Sequence, residues 1–312
     1  MGDIVGPARA AGRGVGAFNV IGIEHAEAIA AGAAAAGTPA VLAISQNCVA
    51  YHGRLAPLAT ACVAVARAAA VPLAVHLDHA TEVDLVHEAA GLGVGSVMFD
   101  ASALPYGQNV AATARVARWC HAEGVWVEAE LGEIGGKNGV HSPHARTDPA
   151  QAARYAAATG VDALAVAVGS SHAMLTRDAV LDLALITRIR AAVRVPLVLH
   201  GSSGVPDEGL AAAVAAGMTK INVATQLNKA FTAAIRAFLA RDAAVVDPRR
   251  YGSAGRDAIA AEVARLLGVI GAGDTAGDPD VERSELAADS ARGKGSTVRG
   301  KGSTARGKGR RG

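Results

Sequence analysis

"VPLAVHLDHATEVD", residues 71–84, carries the pattern on which the fold is read. Its first half is an apolar run suited to a strand buried on both faces, and it ends abruptly in His76, Asp78 and His79. Ionisable groups at the end of a buried strand must be hydrogen-bonded, paired or metal-bound, because desolvating them alone is costly. Such an ending is either a structural network or a site.

The same pattern recurs along the chain. Apolar runs lie at 15–20 (VGAFNV), 40–46 (AVLAISQ), 72–78 (PLAVHLD), 96–100 (SVMFD), 125–132 (VWVEAELG), 163–172 (ALAVAVGSSH), 196–201 (PLVLHG) and 220–225 (KINVAT), with Ala-rich amphipathic stretches between them. Continuous apolar runs are the mark of parallel strands covered by helices, and right-handed crossovers keep such a sheet parallel. Eight β-then-α units predict a closed (β/α)8 TIM barrel. An open doubly wound sheet is the alternative, but no GxGxxG follows the first run.

Nearly every run is apolar at its start and polar at its end: Asn19, Gln46, Asp78 with His79, Asp100, Glu128 with Glu130, His172, His200, then Asn222 and Thr225. In a barrel all C-terminal strand ends share one face, where active sites are built. His79, His172 and His200 would converge there, and three neutral imidazoles with an open position suit a catalytic zinc ion. Asp78, beside that ion, suits acid–base work on a substrate hydroxyl. Adjacent strand residues point to opposite sides, so both Asp78 and His79 reach the site only if the strand is ending there. His76 shares Asp78's parity and is expected to orient its neighbours. His25, His52, His87 and His121 fall on predicted helices or their approaches, and His141 and His144 in a polar loop; all six are read as bystanders.

"LHGSSGVPDEGL" sets a Gly-Ser-Ser-Gly turn directly after the seventh run, and Asn222 to Thr225 follow the eighth. Loops after strands seven and eight of a barrel, with a helix N-terminus, form a recurrent phosphate cradle. Small residues there let backbone N–H groups approach phosphate oxygens. A phosphorylated substrate is expected. Lys220, read as opening the eighth strand at the end away from the chemistry, is expected to be solvated.

The composition agrees with a large layered α/β core: 312 residues, 51% hydrophobic, only 3% aromatic. The net charge of +2 is set by residues 292–312, which hold eight Lys or Arg and no acid; the rest has 22 basic against 28 acidic residues. A mildly acidic body gives no nucleic-acid surface, so any such contact would fall to the tail. We read 1–270 as one catalytic barrel and 271–312 as a disordered basic Gly/Ser/Arg/Lys-rich tail. Cys48, Cys62 and Cys120 form no CxxC pair and read as reduced thiols. The N-terminus lacks the apolar core of a signal peptide, and the Ala/Gly-rich run with Pro39 inside it is a poor membrane span. The expectation is a cytoplasmic protein with no membrane partner.

Taken together, "HLDHA", "SVMFDAS", "VEAELGEIGG", "AVAVGSSH", "LHGSSGVPDE" and "KINVATQL", in this order, resemble the class II, zinc-dependent ketose-bisphosphate aldolases, the fructose- and tagatose-bisphosphate aldolase family, over roughly residues 14–260. The resemblance implies reversible cleavage of a ketose 1,6-bisphosphate to dihydroxyacetone phosphate and glyceraldehyde 3-phosphate. It makes His79, His172 and His200 ligands of one catalytic Zn2+ and Asp78 the acid–base for the C4 hydroxyl. Asp100 and Glu130 match acids that hold a second or displaced cation, divalent or monovalent. Gly201, Ser202, Ser203, Asn222, Val223, Ala224 and Thr225 would hold dihydroxyacetone phosphate, with Asn19 and Ala173 also in contact with substrate. It further implies a homo-oligomer, dimer or tetramer.

Three departures stand out. Ala173 replaces the glycine that usually follows the second zinc histidine, where a Cβ would strain any positive φ. The loop "IGGKNGVHSP" lacks the acids that follow the family's Gly-Gly, so that either Glu133 substitutes for the carbon-bound proton or that role is reduced. Ser253 stands where an arginine usually meets the distal phosphate, with Arg249, Arg250 and Arg256 as compensators. These changes predict retained dihydroxyacetone phosphate chemistry and an altered aldehyde preference. A barrel zinc hydrolase and an aldolase-like barrel with lost catalysis are the alternatives.

Overall fold

The computed structural model describes residues 1–131, 146–171 and 174–271. Eight parallel strands close into a barrel in sequence order: β1 (Val15–Asn19), β2 (Ala40–Ser45), β3 (Leu73–Ala80), β4 (Ser96–Phe99), β5 (Trp126–Glu130), β6 (Ala163–Ala165), β7 (Leu197–Leu199) and β8 (Met218–Val223). Each expected run overlaps its strand, although β3 runs on past its run and β8 begins before its own. Closure is made by β1 on β8, with Ala17 beside Asn222.

The helices are α1 (Gly2–Ala10), α2 (Ile23–Ala36), α3 (Gln46–His52), α4 (Ala56–Ala68), α5 (Val83–Gly91), α6 (Tyr106–Ala122), α7 (Pro149–Thr159), α8 (Leu183–Ala192), α9 (Asp207–Ala216), α10 (Thr225–Arg241) and α11 (Pro248–Gly271). Alternation along each strand sorts its side chains. One set, including Phe18, Leu42, Leu77, Val127 and Ile221, packs outward under the helices in a single continuous core. The other set fills the barrel with small residues: Met98, Ala163, Ala165, Ala167 and Val198 on one side, Val15, Ala17 and Val41 on the other.

The bottom of the barrel is closed by α1, whose Ile4 and Ala8 pack on Val15, Ala17 and Val41. The sequence reading had no element there, because Gly2, Gly6 and Pro7 weaken its helical signal. Cys48, Cys62 and Cys120 are buried free thiols, and burial pushes Cys62 up to about 12. Among the described residues no single helix is long and apolar enough to cross a membrane; α3 and α4 would qualify only as a pair bent by 118°.

Candidate active site

The rim formed by the C-terminal strand ends gathers the expected side chains. One cavity there is lined by Asn19, Asp78, His79, His200, Asn222 and the cradle residues Gly201, Ser202, Ser203, Ala224 and Thr225. Val223 instead turns outward into the core. Glu133, His172 and Ala173, with His141 and His144, lie outside the described residues.

Asp78 and His79 both reach the cavity although they are adjacent, and β3 does not end between them as expected. It runs on to Ala80. Leu77 pairs with Val97 and Ala80 with Phe99, so two residues of β3 oppose the single Met98 of β4. This is a β-bulge, which re-aims a side chain without ending the strand. His79 takes a φ of 52°, the one positive φ among described non-glycine residues. That left-handed conformation costs about 1–3 kcal/mol. Histidine tolerates it better than most side chains. Gln46 braces the exit: its Oε1 accepts from the Thr81 N–H at 2.8 Å, and its Nε2 donates to Thr81 Oγ1 at 3.0 Å.

The two histidines are each tied to a carboxylate. His79 Nδ1 lies 2.8 Å from Asp100 Oδ2, and His200 Nε2 lies 2.8 Å from Glu128 Oε1. Ionised carboxylates only accept, so these ring nitrogens carry the protons. Their other nitrogens, His79 Nε2 and His200 Nδ1, face each other at 3.0 Å. Two lone pairs in that position repel unless a cation or an added proton lies between them. A nitrogen donor pair backed by carboxylates fits a divalent metal such as zinc. Ligand atoms of Asp78, His79 and His200 lie within 4.8 Å of one another, as do those of His79, Asp100 and Glu130. Asp100 is further engaged through Oδ1, which accepts from the Ser102 N–H and hydroxyl.

Asp78 is held from two sides. Asn19 Nδ2 donates to its Oδ2 at 3.2 Å and Asn222 Nδ2 to its Oδ1 at 3.4 Å. Burial alone would raise its pKa, but the imidazoles of His79 and His200 and the Lys220 ammonium hold it well below the usual carboxylate range. It is an ionised base at neutral pH.

Beneath these groups lies a layer that the sequence reading missed. Glu128 and Lys220 are both fully buried, with Lys220 Nζ 2.8 Å from Glu128 Oε2 and donating to Asn222 Oδ1 at 2.8 Å. The expectation of a solvated Lys220 is overturned. β8 begins two residues earlier, and Lys220 shares the inward parity of Asn222. Burial opposes ionisation of Glu128, yet Lys220 and the hydrogen bond from His200 bring it down to about 2. His76 also stands here, as a buried neighbour: its Nδ1 meets Ser96 Oγ at 2.8 Å. Burial and the Lys220 charge push its pKa down to about 3. The i, i+2 spacing of Glu128 and Glu130, and of Lys220 and Asn222, was the available signal.

The cradle follows β7. Gly201 has φ 67°, and a Cβ on it would stand 2.6 Å from the Ser171 carbonyl, so only glycine passes there. Ser202 to Gly204 then form one 3-10 turn. Ser203 Oγ accepts from the N–H groups of Ala224 and Gln226, at the N-terminus of α10, each at 3.3 Å. The proposed arginine compensators point elsewhere: Arg249 pairs with Asp247, Arg250 with Asp242 and Arg256 with Glu27. The described bystander histidines have partners away from the cavity. His87 stacks on Trp119, His121 pairs with Asp162, and His25 packs against Phe231.

Comparison with known proteins meets this geometry. The family model described as "Fructose-bisphosphate aldolase class-II" matches residues 1–275. The chain belongs to the class II fructose-bisphosphate aldolase family. Among solved structures, the YdjI aldolase of Escherichia coli K12 superposes with a TM-score of 0.76 at 28% identity, covering 88% of this chain and 98% of that one. A putative fructose-1,6-bisphosphate aldolase from Coccidioides immitis gives 0.78 at 29%, covering 87% and 96%. The fructose-bisphosphate aldolase of Campylobacter jejuni, at 22% identity, TM-score 0.72 and coverage of 86% and 93%, shares the fold. In this aldolase-family barrel the bulge at His79, the buried Glu128–Lys220 pair and the Gly201 turn surround one cavity.

Proposed function

We propose that this chain is a zinc-dependent aldolase that cleaves a ketose 1,6-bisphosphate, fructose or tagatose, to dihydroxyacetone phosphate and glyceraldehyde 3-phosphate. The observation that carries the reading is the pair of facing ring nitrogens of His79 and His200, 3.0 Å apart, with an ionised Asp78 beside them. His79 and His200, joined by His172, would hold the ion. Bound there, Zn2+ supplies the Lewis acidity that polarises a ketone carbonyl.

The chain's own groups do the rest. Asp78, aimed by Asn19 and Asn222, takes the proton of the C4 hydroxyl as the C3–C4 bond breaks, and returns it in the synthetic direction. The departing aldehyde keeps the oxygen, and C3 gains a proton, with Glu133 proposed in place of the loop glutamate that the family usually offers. Backbone N–H groups of the Ser202–Gly204 turn, with the Ser203 hydroxyl that is held at the α10 N-terminus, bind the phosphate of the dihydroxyacetone half. Because Arg249, Arg250 and Arg256 are paired elsewhere, we also propose an aldehyde preference different from that for glyceraldehyde 3-phosphate alone.

The test is a coupled cleavage assay on fructose 1,6-bisphosphate, tagatose 1,6-bisphosphate and fructose 1-phosphate. Chelation should abolish turnover and added Zn2+ should restore it. Cleavage that survives full metal removal would refute zinc dependence. Efficient turnover of fructose 1,6-bisphosphate alone would refute the altered preference.

A further inference from the structure

Lys220 does not line the cavity, yet its single ammonium touches the acceptors that orient both halves of the chemistry. One arm runs through Glu128: Lys220 holds Oε2, which leaves Oε1 aimed at His200 Nε2. The other runs through Asn222: Lys220 takes the amide oxygen, which turns the amide NH2 towards Asp78 Oδ1 at 3.4 Å and against the His200 ring, 3.3 Å from Nδ1 and 3.5 Å from Nε2. Lysine only donates and an ionised carboxylate only accepts, so every hydrogen bond on these arms has one permitted direction.

We propose that Lys220 is a positioning residue that, through Glu128, fixes His200 as the Nε2–H tautomer with Nδ1 unprotonated on the His79 side, where the metal would bind, and through Asn222 turns an amide donor onto Asp78. The inference rests on the metal reading above and adds what sets the ligand's tautomer. The barrel makes room for it. Ala163, Ala165 and Ala17 point inward at mid-barrel, leaving space for the long lysine stem. No apolar residue in that space could supply direction to both arms.

In Glu128→Gln, Lys220 still demands an acceptor, so it captures the new amide oxygen and the amide NH2 turns to His200. That requires a bare Nε2 and moves the proton to Nδ1, the metal-facing nitrogen. Zinc affinity, read by chelator-competition titration of the full-length protein with Zn2+ alone, should fall about 10–100-fold. Adding Lys220→Met frees the amide to flip, its oxygen again accepts from His200 Nε2–H, and most of the lost affinity should return. A merely structural role predicts the opposite, since the double variant would add a second defect. Unchanged zinc affinity in Glu128→Gln, or a double variant weaker than the single, overturns the proposal while leaving the aldolase reading standing. Wild-type protein that binds no Zn2+ overturns both.

A second measurement needs no variant in this layer. Long-range 1H–15N spectra of the metal-free wild-type histidines, with His200 assigned by comparison with His200→Gln, should give the Nε2–H pattern. A predominant Nδ1–H pattern overturns the proposal.

Discussion

The two ends of this barrel are built from the same eight strands and follow opposite rules. At the closed end, Ile4 and Ala8 of α1 pack on Val15, Ala17 and Val41 in an apolar cluster. At the open end, buried Asp78, Glu128, His200 and Lys220 crowd together beside a strained His79. The lower end contributes apolar burial. The upper end spends part of that stability on charges held in fixed directions, which acid–base and metal chemistry need and a hydrophobic core cannot provide.

The sharpest way to break the comparison is at Asp78. Asp78→Asn should lower kcat by about 10²–10⁴-fold in a protein that still folds, with some loss of melting temperature, because the Asp78 charge is held by favourable partners. A variant that loses activity only by unfolding would put Asp78 on the structural side. At the other end the outcome should invert. Ile4→Ala should cost about 2–3 kcal/mol in urea unfolding and leave kcat unchanged; a parallel loss of kcat would mean that the closed end reaches the chemistry.

Gly201→Ala sits between the two cases. It meets the Ser171 backbone at a positive φ, so it should cost about 1–3 kcal/mol and raise KM for the phosphorylated ketose more than it lowers kcat. An unchanged KM would remove the turn from the phosphate cradle.

The smallest expected effect is on pH dependence. His76 is pushed from 6.5 to about 3 in the folded protein, so between those values the unfolded chain binds the extra proton. Stability should therefore fall as pH drops below 6.5, with Glu128, depressed from 4.5 to about 2, adding to the loss below 4.5. Urea midpoints of the metal-free protein across pH 7 to 5 would check this. His76→Asn should flatten that part of the curve; an equal slope would assign the pH dependence to other groups.

The open end was the more legible of the two. Its polar residues interrupt apolar runs, so Asp78, His79, Asp100, Glu130, His200 and Asn222 could be placed on one rim from local pattern. The closed end was hidden, because a short helix containing Gly6 and Pro7 carries almost no periodic signal and is held by contact with the barrel rather than by propensity. Within the site, the third histidine, Ala173 and Glu133 lie outside the described residues, and the arginines offered in place of Ser253 turned to partners of their own.

The sequence alone determined the barrel and its active face, since strand burial and strand polarity are encoded within strands of three to eight consecutive residues. Only the tertiary structure decided that Asp78 and His79 share a side, through a bulge set by pairing with β4. It alone joined Lys220 to Glu128, 92 positions apart in the chain. The reason is geometric: local pattern tells which face a side chain takes, whereas partners across a closed barrel are fixed by strand register, which no single strand contains.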